Sequence, residues 1–167
     1  MIDLYSEAAL RATEYATRNG LSIVKQLGSG TQGIVFSTNC DTAIKALLHT
    51  DHYLRERDVY LRLRDRKVDK IRQFWVPQLT QADDNLRVIE MEVVRPPFVL
   101  DFASAYLDQD PPYLNEPEVI ATWEREKREQ FEGRWPEVKK MMREFRALGI
   151  HLADVKPGNV VFVEDDD

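Results

Sequence analysis

The sequence predicts an α+β fold in two unlike halves. Its first half carries short apolar runs separated by turn residues, the pattern of antiparallel strands. Arg95-Pro96-Pro97 interrupts that pattern, because proline lacks an N–H and keeps its predecessor out of the α region. Beyond the prolines, apolar residues recur mostly at helical spacing. Strands first and helices afterwards is the arrangement of an α+β protein, not of an alternating parallel sheet.

Residues 3–18 are predicted as a helix. Leu4, Ala8, Leu10, Ala12, Tyr15 and Ala16 give it a partly apolar face, and Asn19-Gly20 supplies a stop. Residues 21–27 and 34–37 read as a strand pair, and Asn39-Cys40-Asp41 turns the chain into a third strand over 42–48. Thr50 or Asp51 is suited to cap a helix running to about Arg66, with Tyr53, Glu56, Tyr60 and Leu63 on one side. Residues 76–82 and 86–94 read as two strands joined at Asp83-Asp84-Asn85. A short helix is predicted over 98–107, and longer ones over 116–131 and 136–148. Pro136 fits a first helical turn and Gly149 a C-terminal stop. Val160 to Val163 is a short strand-like run.

The chain has 167 residues, enough for one ordinary domain or two small lobes. Its 43% hydrophobic and 31% charged residues are those of a globular protein. A net charge of -6 argues against nucleic acid or an anionic membrane as its main partner. A single cysteine, Cys40, permits no internal disulfide. The start Met1-Ile2-Asp3-Leu4 lacks a basic, then apolar, leader pattern, and no apolar run approaches the ~20 residues of a membrane span. These features predict a cytoplasmic protein.

Three separated segments carry the chemistry. The first is Gly28-Ser29-Gly30-Thr31-Gln32-Gly33. A dinucleotide-binding glycine loop must open a helix, whose N-terminus holds the pyrophosphate. Here Ile34-Val35-Phe36 follow, which read as strand. A glycine loop closing a hairpin is instead suited to covering phosphates, since backbone without Cβ can approach their oxygens. An ordinary hairpin turn is the plainer reading. The second segment is Ala43-Ile44-Lys45, which puts an ammonium within a strand. Glu56 is the candidate carboxylate for it, with Asp58 as the alternative. Taken alone, Lys45 also reads as a solubilising lysine on an edge strand, with Glu56 on a solvated helix face. The third segment is Asp154-Val155-Lys156-Pro157-Gly158-Asn159, between a helix and a short strand. It joins a carboxylate, a cation and an amide oxygen, the groups that phosphoryl transfer uses. A surface turn after a helix is its plainer reading.

In this order the three segments resemble the nucleotide site of the protein-kinase-like family, over residues 21–163. The resemblance implies a two-lobed protein. Residues 1–94 would form an N-lobe, with a five-stranded antiparallel sheet and one helix. Residues 95–167 would form a reduced helical C-lobe with a catalytic-type loop over 150–159. It implies ATP and Mg²⁺ as cofactors. Gly28, Gly30 and Gly33 would cover the phosphates, and Lys45, held by Glu56, would bridge the α- and β-phosphates. Met91 would sit behind the adenine, with the carbonyl of Glu92 and the N–H of Val94 on its edge. Asp154 would accept the substrate hydroxyl proton, Lys156 would neutralise the γ-phosphate, and Asn159 would ligate the metal.

The departures bear on activity. Leu152-Ala153 precede Asp154 where the family usually has His-Arg or His-Gly, and His151 lies one position early. No D-F-G motif follows Asn159. Only Val160 to Asp167 remain, and Glu164 or Asp165 would have to fold back without a turn residue to reach a metal. A solvated acidic tail is the expectation, which leaves Asn159 the main metal ligand and ATP binding weak and nearly Mg²⁺-independent. Two functional classes follow. One is a phosphotransferase acting on a protein or small-molecule hydroxyl. The other is a catalytically weak or inactive pseudokinase-type module that binds nucleotide or a protein partner.

Overall fold

The computed structural model describes residues 1–164. In chain order its elements are α1 (Leu4–Arg18), β1 (Ile23–Ser29), β2 (Gly33–Thr38), β3 (Thr42–Leu47), α2 (Thr50–Asp65), β4 (Lys70–Ile71), β5 (Phe74–Trp75), β6 (Leu79–Asp83) and β7 (Val88–Glu92). There follow β8 (Phe98–Val99), β9 (Tyr106–Leu107), α3 (Pro117–Phe131), a 3₁₀ turn (Glu132–Arg134), α4 (Trp135–Ala147), β10 (Ile150–His151) and β11 (Val160–Val161). The chain divides into two compact units. One comprises Met1–Lys67 with Pro77–Val93, the other Val68–Val76 with the chain from Val94 onward.

The first unit is built on a five-stranded antiparallel sheet in the order β1-β2-β3-β7-β6. The five strands expected from the alternation are all present, with ends shifted by a few residues. β6 starts only at Leu79, because Pro77 has no N–H to give a ladder. Two helices pack on this sheet, not the one expected. Ile44 and Ala46 of β3 are buried in one cluster with Ala8, Ala12, Tyr15 and Ala16 of α1. The intervening Lys45 reaches α2. Alternate residues of a strand face opposite sides, so α1 and α2 cover opposite faces. The alanines let α1 approach the sheet closely. Arg11 donates to the carbonyls of Leu47 and Leu86, and Tyr15 donates to the buried Glu90 at 2.8 Å.

Capping explains the helix starts. The Asp3 carboxylate accepts from the N–H groups of Tyr5 and Ser6 at 2.9 and 3.0 Å, satisfying two donors of the first turn. α2 departs from expectation. His49 occupies its N-cap without a side-chain bond, and Thr50 is already helical. Tyr53 and Arg57 of α2 instead grip Asp84 in the β6–β7 turn, at 2.6 and 3.1 Å.

The second unit contains a four-stranded sheet, β11-β8-β5-β4, and a two-stranded one, β10-β9. The β4–β5 hairpin belongs here because Trp75 pairs with Phe98 and its N–H bonds to Pro97. The segment 68–76 therefore departs from a single cut after residue 94. The helix expected over 98–107 is replaced by β8, a turn and β9. Phe98 and Val99 pair with β11, and Asp101 takes φ 70°, which no α-helix accommodates. α3 and α4 run close to the expected spans. Gly149 ends α4 at φ 75°, a conformation that glycine adopts freely. Phe102 and Phe145 pack at 5.7 Å, and Phe131 stacks on Trp135 at 6.0 Å. No described helix is long and apolar enough to cross a membrane.

Candidate functional site

In the first unit, Lys45 lies on the central strand β3 and is only 8% exposed. That excludes an edge-strand solubilising role. Its ammonium lies 2.8 and 3.1 Å from the two carboxylate oxygens of Glu56, itself 1% exposed. Asp58, the alternative partner, is bound by Arg57 at 2.9 Å. The two desolvated charges compensate each other.

The glycine loop spans the turn from β1 to β2. Gly33 has a structural reason: a Cβ there would lie 2.5 Å from the Ala46 carbonyl oxygen on β3. A Cβ on Gly28 or Gly30 meets nothing within 4 Å, so both stand in open space. Gly28 follows a register shift after Gln26 in the β1–β2 ladder, a place where glycine is common. Tyr5 of α1 donates to the Gly30 carbonyl at 3.0 Å and so ties the loop to the N-terminal helix. Met91 is buried on β7, where its sulfur accepts from the Tyr60 hydroxyl at 3.3 Å. Glu92 ends that strand, its N–H bonded to Gln78, and Val94 is half-buried beyond it.

In the second unit, α4 and β10 lead into the Asp154–Asn159 loop. Ile150 is buried and His151 pairs with Tyr106, which fixes where the strand ends. His151 lies 3.0 Å from Asp110, which Arg146 also binds at 2.8 Å. Those two partners hold the Asp110 carboxyl below its usual range, Arg146 contributing most. His151, displaced by one position, thus supports the β9–α3 connection. The loop is held by Trp123 of α3, whose indole N–H donates to Ala153 at 3.0 Å. Val155 is buried and Lys156 exposed, and the Lys156 carbonyl accepts from the N–H groups of Asn159 and Val160. Asp154 is half-buried.

Two residues absent from the sequence reading lie beside this loop. Lys127, one helical turn after Trp123, is 8% exposed. Burial lowers the pKa of its ammonium, opposed by the charge of Asp154 and reinforced by that of Lys156. The signal available was its place four residues after Trp123 in α3. The second is Asp101. The Asn159 amide donates to its Oδ2 at 3.3 Å, and Asn159 also accepts from the N–H of Leu100 at 2.8 Å. Asp101-Phe102-Ala103 differs from D-F-G at one position, but precedes the loop instead of following it.

No three or more His, Cys, Asp or Glu residues cluster to hold a metal among the described residues. The donor set that fits a hard cation is an amide and a carboxylate, Asn159 and Asp101. Glu164 is exposed after β11, and Asp165 lies outside the described residues.

No family model matches the chain, and no curated protein matches it. One solved structure with similarity is the streptomycin–ATP–APH(2")-IIa ternary complex. The TM-score is 0.39 and the identity 18%, over 57% of this chain and 30% of that chain. The chain thus spans less than a third of that protein's length.

Proposed function

We propose that this protein is a nucleotide-binding phosphotransferase of the protein-kinase-like type, taking ATP and transferring its γ-phosphate to a hydroxyl. The observation that carries this reading is the buried Lys45–Glu56 pair at 2.8 Å on the central strand. Replacing a buried charged pair by apolar residues is often neutral or stabilising, so a chemical use of the ammonium accounts for the pair better than stability does. The glycines at 28 and 30, which stand in open space, and the Asp154-x-Lys156-Pro157-x-Asn159 loop agree with it.

In this reading Lys45 lies against the α- and β-phosphates and Glu56 keeps it aimed. Backbone N–H groups around Gly28 and Gly30 approach the phosphate oxygens. Gly33 serves by keeping β2 against β3. Met91, the Glu92 carbonyl and the Val94 N–H receive the adenine. The substrate hydroxyl oxygen attacks the γ-phosphorus, the bond to the β-phosphate oxygen breaks, and ADP leaves. Asp154 takes the hydroxyl proton, and Lys156 offsets charge on the transferred group. Mg²⁺, when bound, neutralises phosphate oxygens, with Asn159 as an oxygen ligand.

The test is ADP formation from ATP with Mg²⁺, measured for the wild type and Asp154→Asn. Turnover lost in the variant with ATP affinity kept supports transfer. Equal turnover in both removes Asp154 from the chemistry. Binding without turnover in the wild type selects the pseudokinase-type alternative.

A further inference from the structure

We propose that Asp101 is the carboxylate of a divalent-cation site shared with Asn159, delivered by a strand that precedes the catalytic-type loop. The proposal rests on the nucleotide-binding reading above and gives Asn159 a carboxylate partner for the metal.

The topology does the delivering. β8 runs antiparallel to β11 with Val99 opposite Val160, and the Leu100 N–H bonds to the Asn159 carbonyl at 2.8 Å. The ladder therefore carries the next residue, Asp101, alongside the side chain of Asn159. The two side chains meet at 3.3 Å.

The backbone of Asp101 is the second observation. At φ 70° it sits in the left-handed region, which an aspartate tolerates but does not prefer. Residues on both sides hold it there. Val99 is 1% exposed, and Phe102 and Ala103 are fully buried. The Ala103 N–H, at 3.4 Å, contacts the other carboxylate oxygen. A strained polar residue fixed by buried neighbours is a common arrangement at functional sites.

The donor chemistry is the third. Turning the Asn159 amide by half a turn presents its oxygen in place of its nitrogen. The pair then offers two oxygens, one of them anionic. Mg²⁺ takes few protein ligands and fills its octahedron with phosphate oxygens and water, so two suffice when a nucleotide supplies others. The cation site then makes ATP binding Mg²⁺-dependent, opposite to what the chain after Asn159 predicts.

The experiment is calorimetric titration of ATP with and without Mg²⁺ into the wild type, Asp101→Asn, Asp101→Gly and a variant lacking Glu164 to Asp167. Glycine removes the carboxylate while relieving the backbone, so Asp101→Gly keeps its fold even where Asp101→Asn does not. Manganese binding in the presence of ATP, followed by its electron paramagnetic resonance signal, gives a readout independent of turnover. We expect Mg²⁺ to tighten wild-type ATP binding at least tenfold. Both Asp101 variants should lose that gain while binding metal-free ATP as before, and the tail variant should keep it. A Mg²⁺ gain that survives in Asp101→Gly, or that disappears with the tail, overturns the assignment and leaves the nucleotide reading standing. A wild type that binds no ATP in either condition overturns both.

Discussion

Lys45 on β3 and Glu56 on α2 form a buried ion pair, with the ammonium 2.8 and 3.1 Å from the two carboxylate oxygens. The pair links the middle of the five-stranded sheet to the helix on one of its faces. Removing one partner takes from the other buried charge its opposite charge at 2.8 Å, at a cost of about 3–5 kcal/mol. Lys45→Met and Glu56→Leu should each lower stability by that order in urea denaturation. The double variant should lose far less than their sum, because an apolar pair of similar volume packs well there. Additive losses would show that the two charges do not stabilise one another.

The three loop glycines should separate by property. Gly33→Ala places a Cβ 2.5 Å from a backbone oxygen of the neighbouring strand. Relieving that overlap should cost about 1–3 kcal/mol. Gly28→Ala and Gly30→Ala meet open space, so their stability should change by about 0.5 kcal/mol or less. Their ATP affinity should fall, since the added methyl stands where a phosphate would approach. Thermal melts beside ATP titrations check both halves. Unaltered affinity in Gly28→Ala and Gly30→Ala would make the loop an ordinary hairpin.

Much of this architecture was legible in the sequence, for physical reasons. Strands β1, β2, β3, β6 and β7 have five or more residues each, long enough for alternation to register. The strands β4, β5, β8 and β9 have two residues each, too few for any period. Arg72, which turns the chain between β4 and β5, has φ 53° without being Gly or Asn, so no turn residue announces that hairpin. Within the site, the order of the motifs pointed to Lys45, and the resemblance of residues 55–60 to a helix of the protein-kinase-like family pointed to Glu56; its burial shows only in the fold. Asp101 was not legible, because its neighbour Asn159 comes to it through strand pairing, which local pattern does not reveal. Lys127 was not singled out, because only tertiary packing buries it.

Lys127 gives a pH signature. Its folded-state pKa is lowered, chiefly by burial, so the unfolded chain holds its proton to higher pH than the folded one. Where the unfolded state binds more protons, stability rises with pH. The window runs from the lowered value up to the ordinary lysine pKa of about 10.4. Lys127→Met removes this contribution. The stability difference, wild type minus variant, should therefore increase as pH is raised through the alkaline range in urea denaturation. A difference that stays flat or falls would place the ammonium in solvent.

The most direct measurement is calorimetric titration of ATP into the wild type and into Lys45→Met/Glu56→Leu, the variant in which the buried pair is exchanged without a stranded charge. The account predicts one ATP site in the wild type and at least tenfold weaker binding in the double variant, at comparable melting temperature. Equal ATP affinity in the two proteins, or no binding to the wild type, would contradict it.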